Sequence, residues 1–197
     1  MTADEPMGLR ERKKARTRES IQRHALRLFE AQGYAATTVE QIAAAAEVSP
    51  STFFRYFPTK EETVLYDPVD PLLIEAARKQ PAELSLIGVI RATLKDVREN
   101  WPAEVWAEER VRQRLVFTEP ALRARLSEGH IEGIDMIAGF VAERTGRAPD
   151  DSEVRAWAGA LTGVLLAVGI ARFNDPNLDW FDELDRAFAF IEGGLQL

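Results

Sequence analysis

Thr37-Thr38-Val39-Glu40-Gln41-Ile42-Ala43-Ala44-Ala45-Ala46-Glu47-Val48-Ser49-Pro50-Ser51-Thr52-Phe53-Phe54-Arg55-Tyr56-Phe57 decides the fold of this 197-residue chain. Thr37 or Thr38 opens a helix, and Thr37 with Glu40 has the T-x-x-E spacing of a capping box. Val39, Ile42, Ala43 and Ala46 give that helix its buried side. Ser49-Pro50 opens another, with Ser as N-cap and Pro at the first helical position, where its missing N–H costs nothing. Only Glu47-Val48 separates the two. Two short helices joined by so tight a turn match a helix-turn-helix.

The second of these helices has two faces. Phe53 and Phe57 are four residues apart and share the buried one. Ser51, Thr52, Arg55 and Tyr56 point mostly outward, with Phe54 beside them. Hydroxyls, a guanidinium and aromatic faces on one short helix suit phosphates, base edges and thymine methyls in a major groove. Pro58 stops the helix, and Thr59 with Glu62 repeats the capping-box spacing. Lys60 falls in the first turn that follows, where its charge opposes the helix macrodipole. A phosphate held there explains the placement; an exposed lysine is the plain alternative.

Upstream, Ile21, Ala25, Leu28 and Phe29 form the apolar stripe of an amphipathic helix that begins near Leu9 or later and stops at Gln32. Gly33 sits where a left-handed C′ residue belongs. Before the stripe runs a basic stretch holding Arg12, Lys13, Lys14, Arg16 and Arg18. Two readings stand for it: an arm that meets phosphates or a minor groove, or a solubilising tail.

The net charge of −7 argues against a nucleic-acid partner until it is placed along the chain. Residues 1–60 carry ten Lys/Arg against seven Asp/Glu, a balance of +3, and the other 137 carry 15 against 25, a balance of −10. A basic module that meets a polyanion and an acidic body that does not fit that asymmetry.

The ordered run from Ala25 to Tyr34, Thr37 to Ala43 and Val48 to Glu62 resembles the TetR family of transcriptional regulators. The resemblance covers roughly residues 18–66. It implies an all-α protein: a three-helix DNA-binding domain joined to a helical ligand-binding and dimerisation domain. The expected boundaries are 1–66 and 67–197. It also implies that Thr38, Ser51, Thr52, Phe54, Arg55, Tyr56 and Lys60 are the DNA contacts. The chain departs from the family at Glu47, where relatives carry a turn glycine, and at Phe54, where a tyrosine is common.

Beyond a break at Asp67-Pro68-Val69-Asp70-Pro71 the signals stay helical. Candidate segments lie near 71–79, 82–100, 102–117, 119–144, 151–174 and 178–193, punctuated by Pro81, Pro102, Pro120, Pro149 and Pro176. Within 151–174, Val154, Trp157, Ala158, Leu161, Leu165 and Val168 form an apolar stripe, and Ala156, Gly159, Ala160, Gly163 and Ala167 a small-residue surface. Within 178–193, Phe181, Leu184, Phe188 and Ile191 follow a bundle seam. Each is either intrachain core or dimer interface. Family members dimerise through their last two long helices, which implies a homodimer on a pseudo-palindromic operator.

Trp101, Trp106, Phe117, Met136, Phe140, Trp157 and Phe173 either line an effector pocket or fill the core. Phe53–Phe57, the Asp67–Pro71 break and Phe117–Leu126 resemble family members that sense acyl-CoA-type ligands. The expected protein is a repressor released by a small apolar or acyl effector.

Other classes fare worse. There is no G-x-S-x-G, Gly-rich phosphate loop or H-E-x-x-H, and zero cysteines remove thiolate chemistry and Cys-ligated metals. His24 and His130 have no matched neighbour, so no metal, cofactor or enzymatic activity is expected. A nonspecific nucleoid protein remains as an alternative. The longest unbroken apolar run, Val164–Ala171, is far shorter than a membrane span. Met1–Glu5 and the basic residues after it lack the apolar core of an export signal, so a cytoplasmic location is expected.

Overall fold

Capping residues and prolines set the helix boundaries in the computed structural model, which describes residues 8–175 and 177–194. Met1–Glu5, used for the export reading, and Pro176 lie outside them. The described residues form eleven helices and no strand. By contact they fall into two units. One is the chain through Asp67 with Arg110–Leu122; the other is Pro68–Glu109 with the chain from Arg123.

The first unit begins with α1 (Leu9–Gln32), followed by α2 (Val39–Ala45), α3 (Pro50–Tyr56) and the single turn α4 (Glu62–Leu65). Ile21, Ala25, Leu26 and Phe29 of α1 are buried with Tyr34, Ile42, Ala43, Phe53, Phe57 and Val64. Leu26 takes the core place that the stripe gave to Leu28, which is half-buried. Gln22 is a buried polar residue whose amide donates to the carbonyls of Thr63 (3.0 Å) and Tyr66 (2.7 Å), satisfying backbone acceptors around the end of α4.

The second unit contains α5 (Val69–Arg78), α6 (Leu86–Asn100), α9 (Leu126–Thr145), α10 (Ser152–Asn174) and α11 (Trp180–Glu192). α10 packs on α9 and α11, α6 on α5 and α11, and α5 on α9. Val89, Leu94, Ile137, Phe140, Val141, Val154, Ala158, Leu161, Leu184 and Phe188 share its core. Ser85, Asp151 and Asp179 cap α6, α10 and α11 by accepting backbone N–H groups.

Three expectations change here. The Asp67–Pro71 break is shorter, because α5 starts at Val69 and Pro71 fits in its first turn. The segment expected as one helix over 119–144 is α8 (Pro120–Arg123) and α9, separated where Arg125 leaves helical geometry at φ −97°, ψ 2°. Finally, α7 (Ala103–Thr118) contains the unit boundary between Glu109 and Arg110. The expected split at 66/67 put Arg110–Leu122 with the second domain; they group with the first. The buried Arg112 guanidinium pairs with Asp67 and donates to the Val64 carbonyl, while Arg114 pairs with Glu30.

Candidate nucleic-acid interface

Thr38, not Thr37, is the N-cap of α2. Its hydroxyl accepts the Gln41 N–H (3.3 Å), and its own N–H donates to the Gln41 side chain (2.9 Å). The capping box therefore uses Gln41 rather than Glu40. Thr37 is buried, and its hydroxyl donates to the Gly33 carbonyl at 2.8 Å. Gly33 has the positive φ expected of it, 88°, but ψ is 150° and not left-handed helical.

The turn between α2 and α3 is a Schellman motif. Glu47 N–H donates to Ala44 O (3.1 Å) and Val48 N–H to Ala43 O (2.9 Å). That motif needs a positive φ at Glu47, and Glu47 has one, 54°. Ser49 then caps α3 through the Thr52 N–H (3.1 Å), with Pro50 in the first turn.

α3 presents the two faces read from its sequence. Phe53 and Phe57 are fully buried, with ring centroids 6.1 Å apart. Ser51, Phe54 and Arg55 are exposed, while Thr52 and Tyr56 are half-buried. Phe54 leaves half its surface in solvent, and Arg55 lies over the Tyr56 ring at 5.4 Å.

Two of the cations expected at the interface have internal partners. Arg18 stacks on Phe57 and Tyr66 (5.1 and 3.9 Å), and its Nε is buried without a hydrogen-bond partner. It ties α1 to the segment around α3 and α4. Arg12, Lys13, Lys14 and Arg16 are exposed on the first turns of α1, a continuous helix and not a separate arm or tail. Their charges oppose the helix dipole, and a polyanion there would offset that cost. Lys60 Nζ donates to the Tyr34 and Thr37 carbonyls (2.9 and 3.0 Å) and lies 4.2 Å from the Tyr34 ring centre.

Beside it, the Tyr34 hydroxyl donates to Glu61 at 3.0 Å. Burial, reinforced by the Glu61 carboxylate, pushes the Tyr34 hydroxyl well above its ordinary range. Burial alone would raise the Glu61 carboxyl. A backbone N–H, the Tyr34 and Thr59 hydroxyls and the Lys60 charge outweigh it and lower the pKa. The Thr59 hydroxyl accepts the Glu62 N–H at 3.3 Å, but the N-cap of α4 is Glu61, and Lys60 precedes the helix rather than standing in its first turn.

The residues offered for an effector pocket belong to both units. Phe117 belongs to the first unit. Phe140 is packed in the core of the second, with Trp157 against it. Met136 is half-buried, and Phe173 is 43% exposed near the end of α10. Trp101 and Trp106 are stacked (centroids 5.5 Å apart), and Trp106 meets Phe181 edge-on at 5.0 Å. Among the described residues, no His, Asp and Glu side chains cluster to hold a metal.

The two stripes read as core or interface also separate. Val154, Ala158, Leu161 and Val168 of α10 and Leu184 and Phe188 of α11 lie in the intrachain core. Ala156, Ala160, Gly163, Ala167 and Ile170 are exposed and recur at i, i+4, i+7, i+11 and i+14. α10 is long and apolar enough to cross a membrane by length and composition alone, and little of its most apolar stretch is buried within the chain. An unbroken apolar run does not show this, because Arg155, Thr162 and Arg172 interrupt the helix.

A capped helix-turn-helix with an exposed hydroxyl, guanidinium and aromatic face, in a chain that also carries a second helical unit, defines a DNA-binding transcriptional regulator. Residues 21–65 match the family model for bacterial regulatory proteins of the tetR family, and residues 84–196 match the MftR C-terminal domain. The chain is 41% identical over 151 residues to the HTH-type transcriptional regulator TcmR of Streptomyces glaucescens, spanning 73% of this chain and 67% of that one. It is 26% identical over 190 residues to MftR of Mycobacterium tuberculosis, covering 93% of each. It is similar in structure to Thermus thermophilus FadR, a TetR-family transcriptional repressor solved with lauroyl-CoA. The TM-score is 0.59 at 25% identity, over 91% of this chain and 95% of that one. The chain belongs to the TetR family of transcriptional regulators and is a ligand-responsive DNA-binding regulator.

Proposed function

We propose that the chain is a homodimeric repressor of a pseudo-palindromic operator, with α3 of each copy in the major groove. The observation that carries this is the division of α3: Phe53 and Phe57 anchor it while Ser51, Thr52, Phe54, Arg55 and Tyr56 stand on its other side. Thr38 adds a contact from the start of α2, and Arg12, Lys13, Lys14 and Arg16 add phosphate contacts from α1. The proposed functional domains are 1–66 for DNA and 67–197 for ligand and dimer, although by contact Arg110–Leu122 group with the first unit. The place of action is the cytoplasm, where the chromosome is.

The exposed i, i+4, i+7 stripe of α10 supports the dimer, because it lets a second backbone approach closely. A dimer places two recognition helices about 34–36 Å apart, one DNA turn, which one copy cannot do. The effector is a small apolar or acyl compound, and the lauroyl-CoA in the FadR structure makes a long-chain acyl-CoA the first candidate. Such a ligand releases DNA only if it binds better to the form whose α3 helices are misplaced.

Footprinting of the purified protein on DNA upstream of its own gene tests the regulator. A discrete protected site of two inverted half-sites is expected. Salt-dependent binding that protects no discrete site would favour a nonspecific nucleoid protein instead. Lauroyl-CoA and dodecanoate are then added separately. Release by the first alone identifies a CoA thioester, release by both an apolar acyl chain, and release by neither removes the acyl reading.

A further inference from the structure

We propose that Gln41 is a further DNA contact, whose side-chain amide donates to a phosphate of the backbone. A primary amide has an acceptor oxygen with two lone pairs and an NH2 group with two donors. Which end of Gln41 faces inward is settled by a donor of fixed identity. The Thr38 backbone N–H meets the Gln41 side chain at 2.9 Å, so the atom it meets is the oxygen. The Gln32 amide donates to the same oxygen at 2.9 Å and fills its second lone pair.

The protons around it all have assigned places. Gln32 sends its other N–H to the Thr37 hydroxyl at 3.2 Å, and that hydroxyl sends its own proton to the Gly33 carbonyl at 2.8 Å. The Gln41 NH2 group is left over. Gln41 is exposed, and among the described residues its Nε2 has no hydrogen-bond partner.

This orientation limits what Gln41 can recognise. A glutamine reads adenine by using its oxygen and its nitrogen together. The oxygen of Gln41 is already taken, so the side chain offers donors only. Phosphate oxygens are the acceptors that proteins meet most often along DNA. Position agrees with chemistry: in a helix-turn-helix the second helix reads the major groove while the first crosses the backbone. Gln41 stands on the first, α2, with the exposed Thr38 at its side. The Thr38 hydroxyl accepts the Gln41 N–H at 3.3 Å and keeps its own proton for a neighbouring acceptor. An amide already held by two hydrogen bonds has little freedom left to lose on meeting a phosphate.

The inference rests on the proposed docking of the helix-turn-helix. Gln41→Glu tests it, because a glutamate keeps an oxygen for the Thr38 N–H and for Gln32. Capping boxes use Glu as readily as Gln, so unchanged melting is expected. Both outward donors are lost. Gln41→Ala loses them without adding a charge. Both variants and wild type are titrated onto two duplexes of unrelated sequence at fixed salt, with circular dichroism confirming the fold. Gln41→Glu is expected to bind at least about tenfold more weakly and Gln41→Ala severalfold, since a hydrogen bond to a charged oxygen is gone. The factor is the same on both duplexes, because phosphates carry no sequence.

Wild-type affinity in Gln41→Glu overturns the proposal and leaves Gln41 a cap alone. A loss in Gln41→Glu with none in Gln41→Ala also overturns it, since repulsion by the new charge then accounts for the effect. A loss confined to one duplex points to a base edge and overturns the phosphate assignment. Nitrogen NMR of wild type separates contact from cap, and decides the matter if Gln41→Ala does not fold. The Gln41 NH2 signals, assigned by their absence from Gln41→Glu, are expected to shift when duplex is added, while those of Gln32 stay in place. Unmoved Gln41 signals overturn the proposal. Failure of wild type to bind either duplex would instead overturn the DNA-binding reading on which it rests.

Discussion

Replacing Glu47 by glycine is expected to stabilise this protein. Glu47 occupies the C′ position of the Schellman turn at φ 54°. A residue with a Cβ pays roughly 1–2 kcal/mol in the left-handed region. Glycine escapes that cost but gives the unfolded chain more freedom, worth about 0.4–1 kcal/mol in the other direction. The net gain is about 0.5–1 kcal/mol. Thermal unfolding by circular dichroism reads it. Melting rises by about 2–8 °C if the first unit unfolds alone, and by about 1–4 °C if the whole chain unfolds as one. Glu47 is exposed, so removing its charge could act too. Glu47→Ala separates the effects: it loses the carboxylate and keeps the Cβ, and is expected within about 0.5 kcal/mol of wild type. Glu47→Asn falls between the two, since Asn tolerates this region. If Glu47→Ala stabilises as much as Glu47→Gly, the gain is electrostatic and the backbone reasoning is refuted.

Arg112→Met removes the buried guanidinium that pairs with Asp67 and is expected to cost about 3 kcal/mol, read from the urea midpoint. An unchanged midpoint would show the pair contributes nothing. Phe53→Ala and Phe54→Ala should part company. The first empties a fully buried site and costs about 3–5 kcal/mol, while the second, half exposed, leaves melting nearly unchanged and weakens DNA binding. A Cβ on Gly163 meets nothing within one copy, so Gly163→Ala favours the helix by about 0.5–1 kcal/mol. Gly163→Arg is expected to shift sedimentation from dimer to monomer; an intact dimer would place the interface elsewhere. Because the Glu61 pKa is lowered in the folded protein, its contribution is full above the ordinary carboxylate range and is lost as pH falls through the folded value. Tyr34→Phe, which removes one cause, makes the acid limb of a pH–stability curve shallower, and equal limbs would count against it.

Local rules made much of this protein legible. Leu9–Gln32, Ser152–Asn174 and Trp180–Glu192 lie within about two residues of their expected ends, because periodicity, Gly33, Asp151 and Asp179 act at short range. The outward and inward sides of α3 were readable for the same reason. Basic side chains were harder to place. Arg18 and Lys60 look like phosphate ligands by type and position. Their partners, Tyr66 for one and Tyr34 and Thr37 for the other, are far off in sequence and come close only on folding. Gln22 gave no signal at all, and Arg112, one of three alternating arginines that read as solvated or facing a ligand anion, gave no hint of Asp67, since a polar residue buried against a helix end looks in sequence like a surface residue.

Sequence alone determined the helical class, the helix-turn-helix and the segregation of basic and acidic halves, because caps, periods and charge are properties of neighbours along the chain. Tertiary structure decided that Lys60 meets backbone carbonyls and Arg18 aromatic rings. It grouped Arg110–Leu122 with the first unit, where Arg112 pairs with Asp67 and Arg114 with Glu30. It also sorted the stripes of α10 and α11, burying the large side chains in the core of one copy and leaving Ala156, Ala160, Gly163 and Ala167 outside. The physical reason is common to all three. A side chain's charge or apolar area is fixed by its type, but what it is worth depends on which distant group folding brings within reach.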